Sequence, residues 1–330
     1  VKIEGIRLAN FRRFDKLELK FHDGINNIYG GNGSGKTSVL EAVAYLSIPR
    51  SFRGDPDRYL IKWGKDFFNI VGGIVEDTHH HISITYSLTS GKRITIDGKR
   101  VRKYSELLNT FLCMAFSTKD YYLIDGGPEN RRKFFDRMIS LMDHRYFITL
   151  IRYRKVLKQK NTALKKGYPV DMWNKQLEEL AGYIMDVRER VVNEINNLLD
   201  RRYRIEYMPS LKNRTYKDLL ERERAAGFTL AGPHRDDFLF FIDRKPMKYY
   251  ASEGERRLFY LQLIIALREI IVEKTGKEPV LVMDEPGNVL DRRSLSKFLH
   301  SLKGQVILAN LEPLEDAFNI NLGEFVPYTK

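Results

Sequence analysis

Residues 30–37 read Gly30-Gly31-Asn32-Gly33-Ser34-Gly35-Lys36-Thr37, an unbroken match to G-x-x-x-x-G-K-[ST]. The context is also the required one. NNIYG (26–30) has the character of a short strand, and KTSVLEAVAYLS (36–47) repeats apolar residues at helical spacing. Strand, glycine loop and helix in that order predict an α/β fold whose loop wraps a polyphosphate. Backbone amides and the helix N-terminus would face the charge. On this reading Gly30 to Lys36, with Thr37 and Ser38, form the nucleotide-binding run. Lys36 would reach the β- and γ-phosphates, and the Thr37 hydroxyl would hold Mg²⁺. ATP and Mg²⁺ are the expected cofactors.

A phosphate loop of this type needs a carboxylate at the end of a neighbouring strand. PVLVMDEP (279–286) has the continuous apolar run of a buried parallel strand ending in two acids. Asp284 is the candidate metal ligand, and Glu285 is placed to polarise an attacking water. The continuation from Asp284 to Asp291, DEP-x₄-D, sets the chain apart from kinases and small GTPases.

Charge narrows the partners. The 330 residues carry a net charge of +13. Between residues 129 and 224 there are 23 Lys/Arg against 14 Asp/Glu, a net of +9. A basic segment attracts polyanions, although a solvated helical surface in a heat-adapted protein gives the same count. The longest apolar run, LFYLQLIIAL, is about half of what a transmembrane helix needs. The opening VKIEGIRLANFRRF lacks the apolar core of a signal peptide, and one cysteine, Cys113, suits a reducing compartment. The expectation is a cytoplasmic protein with no membrane partner.

Period-two alternation predicts a hairpin from KIEGIRLANF and KLELKF, and antiparallel strands from 68 to 101 with a turn at Asp97-Gly98. His79, His80 and His81 read as a solvent-facing turn at a strand start rather than a metal site. From about 129 the spacing becomes helical through RRKFFDRMISLM, YFITLIRYRKVLKQKNTALKK and DMWNKQLEELAGYIMDVRERVVNEINNLLDRRY, broken at Gly167-Tyr168-Pro169. After 228, FLFFIDRKPM reads as a strand and turn, and QVILAN (305–310) as a buried strand. The predicted organisation is an ATPase head built from 1–120 and 226–330, with an inserted helical arm or lobe at 121–225.

SEGERR (252–257) opens the apolar helix LFYLQLIIALREII. Ser-x-Gly at a helix start offers a hydroxyl and bare amides to an anion, although Ser252 capping its own helix is the plainer alternative. SEGERR followed by VLVMDEPGNVLD resembles the signature and Walker B arrangement of ABC-type ATPases. In that superfamily the signature of one subunit caps the phosphate held by another. The resemblance implies that Ser252, Glu253 and Gly254 act on a partner chain's ATP in an ATP-dependent homodimer, with Asp291 in the loop at the seam.

Further blocks resemble the bacterial RecF family. These are IRLANFRRF, RSFRGDPDRYLIKWG (50–64), FSTKDYYLIDGGPENRRKFFDRMIS (116–140), YRKVLKQKNTALK (153–165) and AGPHRDDFLFFID (231–243). They occur in the family's order along nearly the whole chain. The resemblance implies an ABC-type P-loop ATPase head, a mixed sheet with an antiparallel subdomain, carrying the helical lobe. It implies a weak DNA-stimulated ATPase that clamps double-stranded or gapped DNA and acts with RecO-like and RecR-like partners to load recombinase. The associated processes would be DNA repair, recombination, replication and the SOS response. Arg12 is a candidate contact to nucleotide phosphate, with a hairpin-surface arginine as the alternative. Arg131, Arg132, Arg152, Arg154, Lys155 and Lys158 are the candidate DNA contacts, the first two otherwise bracing the junction between head and arm. His234 is expected to organise the return from the arm and not to catalyse. Glu253 and Glu255 stand where the family usually has Gln. The alternative identity is a diverged SMC-like clamp with other repair partners, although its arms should be far longer than 145–205. A transporter subunit is disfavoured by the basic insertion.

Overall fold

The computed structural model describes residues 1–288 and 292–324. Asp291 therefore lies outside the described residues. The first stretch of chain forms β1 (Lys2–Phe11), β2 (Phe14–Lys20), β3 (Ile25–Tyr29), α1 (Lys36–Ser47), β4 (Phe67–Val75), β5 (His79–Ser87), β6 (Gly91–Ile96), β7 (Lys99–Arg100), α2 (Tyr104–Thr110) and β8 (Cys113–Phe116). The middle stretch forms α3 (Pro128–Met142), α4 (His144–Lys165), α5 (Asp171–Leu198), β9 (Tyr203–Met208), α6 (Leu220–Ala226), β10 (Asp237–Ile242), β11 (Lys245–Pro246), α7 (Met247–Tyr250) and α8 (Glu253–Thr275). The last stretch adds β12 (Val280–Asp284), α9 (Arg292–Ser301), β13 (Val306–Asn310) and β14 (Phe318–Asn321).

Two compact units result, 1–118 with 271–330 and 119–270. The first holds a parallel sheet in the order β14-β3-β13-β12-β8 and an antiparallel sheet in the order β2-β1-β4-β5-β6-β7. Strand direction thus varies between the two sheets and not within either. β12 is buried at every position, as a run covered on both faces requires, whereas β4 alternates strictly. Helix α1 packs against β8, β12 and β13 of one sheet and β1, β4 and β5 of the other. Eleven of its twelve residues are buried. Gly72 of β4 allows the close approach, since a Cβ there would overlap Leu46 of α1. The three histidines begin β5 itself, where His80 Nδ1 lies 2.7 Å from Asp97. Among the described residues no group of three or more His, Cys, Asp or Glu is placed to hold a metal.

The second unit is helical with a small sheet, β11-β10-β9. Its chain limits differ from the predicted arm. The start, at 119, is two residues from the expected 121, but the unit closes at 270 instead of 225. The reason is local pairing. β10 hydrogen-bonds to β9 in register Asp237↔Met208 to Ile242↔Tyr203. Phe135 of α3 stacks on Phe238 of β10 with ring centroids 4.0 Å apart. Phe259 of α8 then packs on Phe240 and Tyr203. Residues 226–270 therefore belong to the lobe's own core. α5 also stops at Leu198, so Tyr203 starts a strand where helical spacing had been read through it. Among the described residues no helix is long and apolar enough to cross a membrane.

Candidate nucleotide-binding site

The loop after β3 takes backbone conformations that only glycine adopts cheaply: φ is 148° at Gly30, 75° at Gly33 and 103° at Gly35. A Cβ on Gly35 would also overlap the ring of Phe14 and the stem of Arg13. Gly35 is the N-cap of α1, with no side-chain cap and no acid in the first turn. The helix therefore presents bare amides and the positive end of its dipole. Lys36 Nζ donates to the carbonyls of Gly30 (2.9 Å) and Gly31 (3.1 Å), oxygens that stand where phosphate oxygens would compete. The Ser34 hydroxyl is buried and has no partner among the described residues. An orphaned donor inside an anion cradle fits a bound polyphosphate.

Asp284 ends β12, and Thr37 Oγ1 donates to its Oδ1 at 2.9 Å. Adjacent ligands of an octahedral Mg²⁺, each about 2.1 Å from the ion, lie about 3 Å apart. The pair therefore fits that ion. Burial raises the Asp284 pKa, reinforced by Glu285 and opposed by Thr37, Arg53 and Lys36. Glu285 has φ 50°, a left-handed conformation for a side chain that gains nothing from it locally. Its N–H donates to Ala309 of β13 (2.9 Å), so the strand ladder holds the residue there.

A cavity of about 490 Å³ lies beside these groups, lined by Arg12, Arg13, Lys36, Arg53, Tyr59 and Glu285 among others. Arg12 reaches this wall but is already engaged. Its guanidinium donates to both oxygens of Glu41 (2.7 and 2.9 Å) and to Asp55 (2.6 Å). The exposed Arg13 and Arg53 make no side-chain hydrogen bond or ion pair among the described residues. Neither carries a role legible from the sequence alone, although they lie in FRRF and RSFRGDPDRYLIKWG. The tandem arginine of FRRF was the available signal.

SEGERR lies in the second unit. Ser252 Oγ accepts from the Glu255 N–H (3.3 Å) while Glu255 Oε2 accepts from the Ser252 N–H (3.0 Å), a reciprocal cap of α8. Glu255 also pairs with Arg202 (2.8 Å), and Glu253 with Arg257. Arg256 grips both oxygens of Asp125 at 2.8 Å. Both glutamates thus have cationic partners within the chain. A Cβ on Gly254 would meet nothing within 4 Å, so this turn is open on its outer side.

The candidate DNA contacts divide. Arg131 is buried, forks onto Asp237 (2.7 and 2.9 Å) and donates to the Gly126 carbonyl. Arg132 donates to the Asp236 carbonyl at 2.7 Å. Both are thus engaged inside the lobe, Arg131 buried and Arg132 half-buried. Arg154 is half-exposed and pairs with Asp136 (3.1 Å). Arg152, Lys155 and Lys158 recur at three-residue steps on one exposed face of α4 and make no ion pair among the described residues.

His234 is held inside this unit. Its Nε2 lies 3.2 Å from the acceptor-only Thr229 carbonyl, which places the proton there, so Nδ1 accepts from the Tyr153 hydroxyl at 2.7 Å. Burial lowers its pKa from 6.5 to about 4. The unfolded chain therefore binds a proton below pH 6.5 that the folded chain refuses. Stability from this group is complete above that pH and is lost as pH falls toward 4. Denaturation at pH 5 should show about 2 kcal/mol less stability from this residue than at pH 7. His234→Gln should lose less between the two pH values by that amount. Equal losses in both proteins would refute this account.

The RecF/RecN/SMC N terminal domain matches residues 2–311. The DNA replication and repair protein RecF of Chlorobaculum tepidum is 32% identical over 347 residues, covering 94% of each chain. The solved structure of the recombination mediator protein RecF-ATPrS in the RecFOR pathway superposes with a TM-score of 0.87 at 30% identity, covering 98% of this chain and 96% of that one. The RecF-ATP structure gives 0.86 at 30% identity, covering 97% and 96%.

Proposed function

We propose a function from one premise: this chain belongs to the RecF family of the RecF/RecN/SMC N terminal domain. It is an ATP-dependent DNA-binding protein of recombinational repair and replication-fork maintenance, acting in the cytoplasm. The observation that carries the ATP half is Lys36 resting on the loop's own carbonyls below a bare helix N-terminus, with Thr37 and Asp284 paired alongside. Bound Mg²⁺, held by Thr37 and Asp284, would neutralise phosphate charge. Lys36 and the amides of 31–38 orient the triphosphate, and Glu285 holds the proton-accepting oxygen for the attacking water.

The open turn at Ser252-Glu253-Gly254 serves the ATP of a second copy, so ATP binding closes a homodimer. Asp291 is proposed at that seam. DNA, double-stranded or gapped, is gripped through phosphates by the Arg152, Lys155 and Lys158 face of α4. Binding is therefore salt-sensitive and weakly sequence-specific. Slow, DNA-stimulated hydrolysis releases it, and RecO-like and RecR-like proteins are the proposed partners in recombinase loading.

Light scattering with and without ATP, alongside retention of a duplex, tests this reading. Wild type should be monomeric alone and dimeric with ATP, while Lys36→Ala should bind neither ATP nor a second copy. Ser252→Arg should keep nucleotide binding yet stay monomeric, and its normal dimerisation would remove the signature from the partner's site. Replacing Arg152, Lys155 and Lys158 together by alanine should weaken ATP-dependent duplex binding at least about tenfold and flatten its salt dependence. Unchanged binding would place DNA elsewhere.

A further inference from the structure

The phosphate groups of a bound nucleotide are accounted for by the glycine loop, but the wall made by Tyr59 and Ile61 is not. Tyr59 is 57% exposed, yet its segment is fixed in place. Its N–H donates to the Pro56 carbonyl (2.9 Å), and its carbonyl accepts from Arg12 (3.3 Å). Asp55 takes Arg12, while Asp57 takes the Tyr45 hydroxyl of α1 (2.6 Å) and Lys92 of β6 (2.9 Å). Ile61 bridges to Phe11 at the end of β1. These anchors therefore present one exposed aromatic ring at a cavity that the glycine loop and Lys36 also line. The Arg58 guanidinium lies 4.6 Å from the ring centroid and donates to its hydroxyl at 2.8 Å, which fixes the ring plane and backs one face with positive charge.

We propose that Tyr59 is the nucleobase platform: the base of the bound nucleoside triphosphate stacks on its ring, beside Ile61. This rests on the ATP-site reading above and adds what that site recognises beyond phosphate. Stacking uses the π-face that every base carries. Neither Tyr59 nor Ile61 offers the paired donor and acceptor needed to read a base edge, since the Tyr59 oxygen already accepts from Arg58 and its hydroxyl has a single proton to donate. The site therefore favours a nucleotide over a bare polyphosphate, and is weakly selective between ATP and GTP.

The test compares equilibrium binding of ATP, GTP and inorganic tripolyphosphate to the full chain as wild type, Tyr59→Ala and Tyr59→Phe. Tyr59→Ala should weaken ATP and GTP by about 10- to 100-fold. Tripolyphosphate should stay within about threefold of wild type, because the glycine loop is untouched. Tyr59→Phe keeps the ring but loses the bond to Arg58, so it should recover most of the ATP and GTP affinity lost in Tyr59→Ala. The proposal is overturned if Tyr59→Ala binds ATP as tightly as wild type. It is equally overturned if tripolyphosphate is lost in parallel, which would mark Tyr59 as merely structural. A wild-type chain that binds tripolyphosphate and ATP alike, whatever stands at 59, leaves the phosphate site intact and removes the platform. A wild type that binds neither ligand sinks the ATP site itself.

Discussion

Glu285→Gln should hydrolyse ATP about 10²- to 10³-fold more slowly than wild type while binding it within a few-fold as tightly. Glutamine keeps the size and the two polar atoms of glutamate but cannot accept the proton of an attacking water. Glu285 is singled out because it reaches the cavity from a left-handed conformation, φ 50°, one residue beyond the end of β12. Such a conformation costs a side-chain-bearing residue about 1–2 kcal/mol. The β13 ladder enforces it through the Ala309 carbonyl. Asp284→Asn should fail differently. It removes the carboxylate beside Thr37 and should weaken Mg²⁺-dependent nucleotide binding first. Single-turnover hydrolysis beside equilibrium ATP binding separates the two. Turnover within about threefold of wild type in Glu285→Gln would show that another group activates water. With hydrolysis blocked, the same variant should accumulate the ATP-dependent dimer.

Much of this site was legible because its demands are local in sequence. A phosphate loop needs left-handed backbone at fixed places, so Gly30, Gly33 and Gly35 stand out in eight residues. β12 is covered on both faces, so VLVMD reads as an uninterrupted apolar run. The cavity's other wall leaves a weaker trace, the tandem arginine of FRRF. Arg12 meets Glu41 and Asp55 across 29 and 43 residues, and no periodicity encodes a pairing at that separation. Tyr59 lies in a polar turn, where an exposed aromatic looks like any single surface ring. The second unit closes at 270, beyond the expected 225, for a related reason. The short apolar run FLFFI identifies a strand but not its partner, and β10 pairs with β9 inside the lobe. β8 was missed because CMAF is four apolar residues whose covering elements lie far along the chain. Arg131 shows the same limit in reverse. Its charge suggested a DNA contact, and only the fold brings Asp237 to neutralise it.

The two blocks GGPENRRKFFDR and GPHRDD are joined by Arg188, and its replacement should have the largest effect on stability. Arg188 lies on α5 and is 1% exposed. It donates to Asp136 of α3 (2.8 Å), to Asp236 (2.9 Å), to the Pro233 carbonyl (2.8 Å) and to the Tyr146 hydroxyl of α4 (3.0 Å). Burial disfavours the charged guanidinium, but Asp136 and its other anionic and phenolic neighbours outweigh this and raise its pKa well above the usual arginine value. Arg188→Leu would strip Asp236 of its paired cation inside the lobe and leave Asp136 only the half-exposed Arg154. Removing one member of such a network typically costs about 3–5 kcal/mol, because the partner charges remain desolvated. Arg188→Lys should recover only part of this, since an ammonium cannot reproduce the planar fork that spans two carboxylates. Urea unfolding followed by tryptophan fluorescence suits the measurement. The chain has two tryptophans. Trp63 is 97% exposed, whereas Trp173 is partly buried against Ala163, Leu164 and Val170 in the lobe. The main signal change should therefore report the lobe, with its midpoint lowered by roughly 1–2 M in Arg188→Leu. A loss under about 1 kcal/mol would mean that the two aspartates find other partners. The junction would then be held by the stacked Phe135 and Phe238 rings and the Arg131–Asp237 fork.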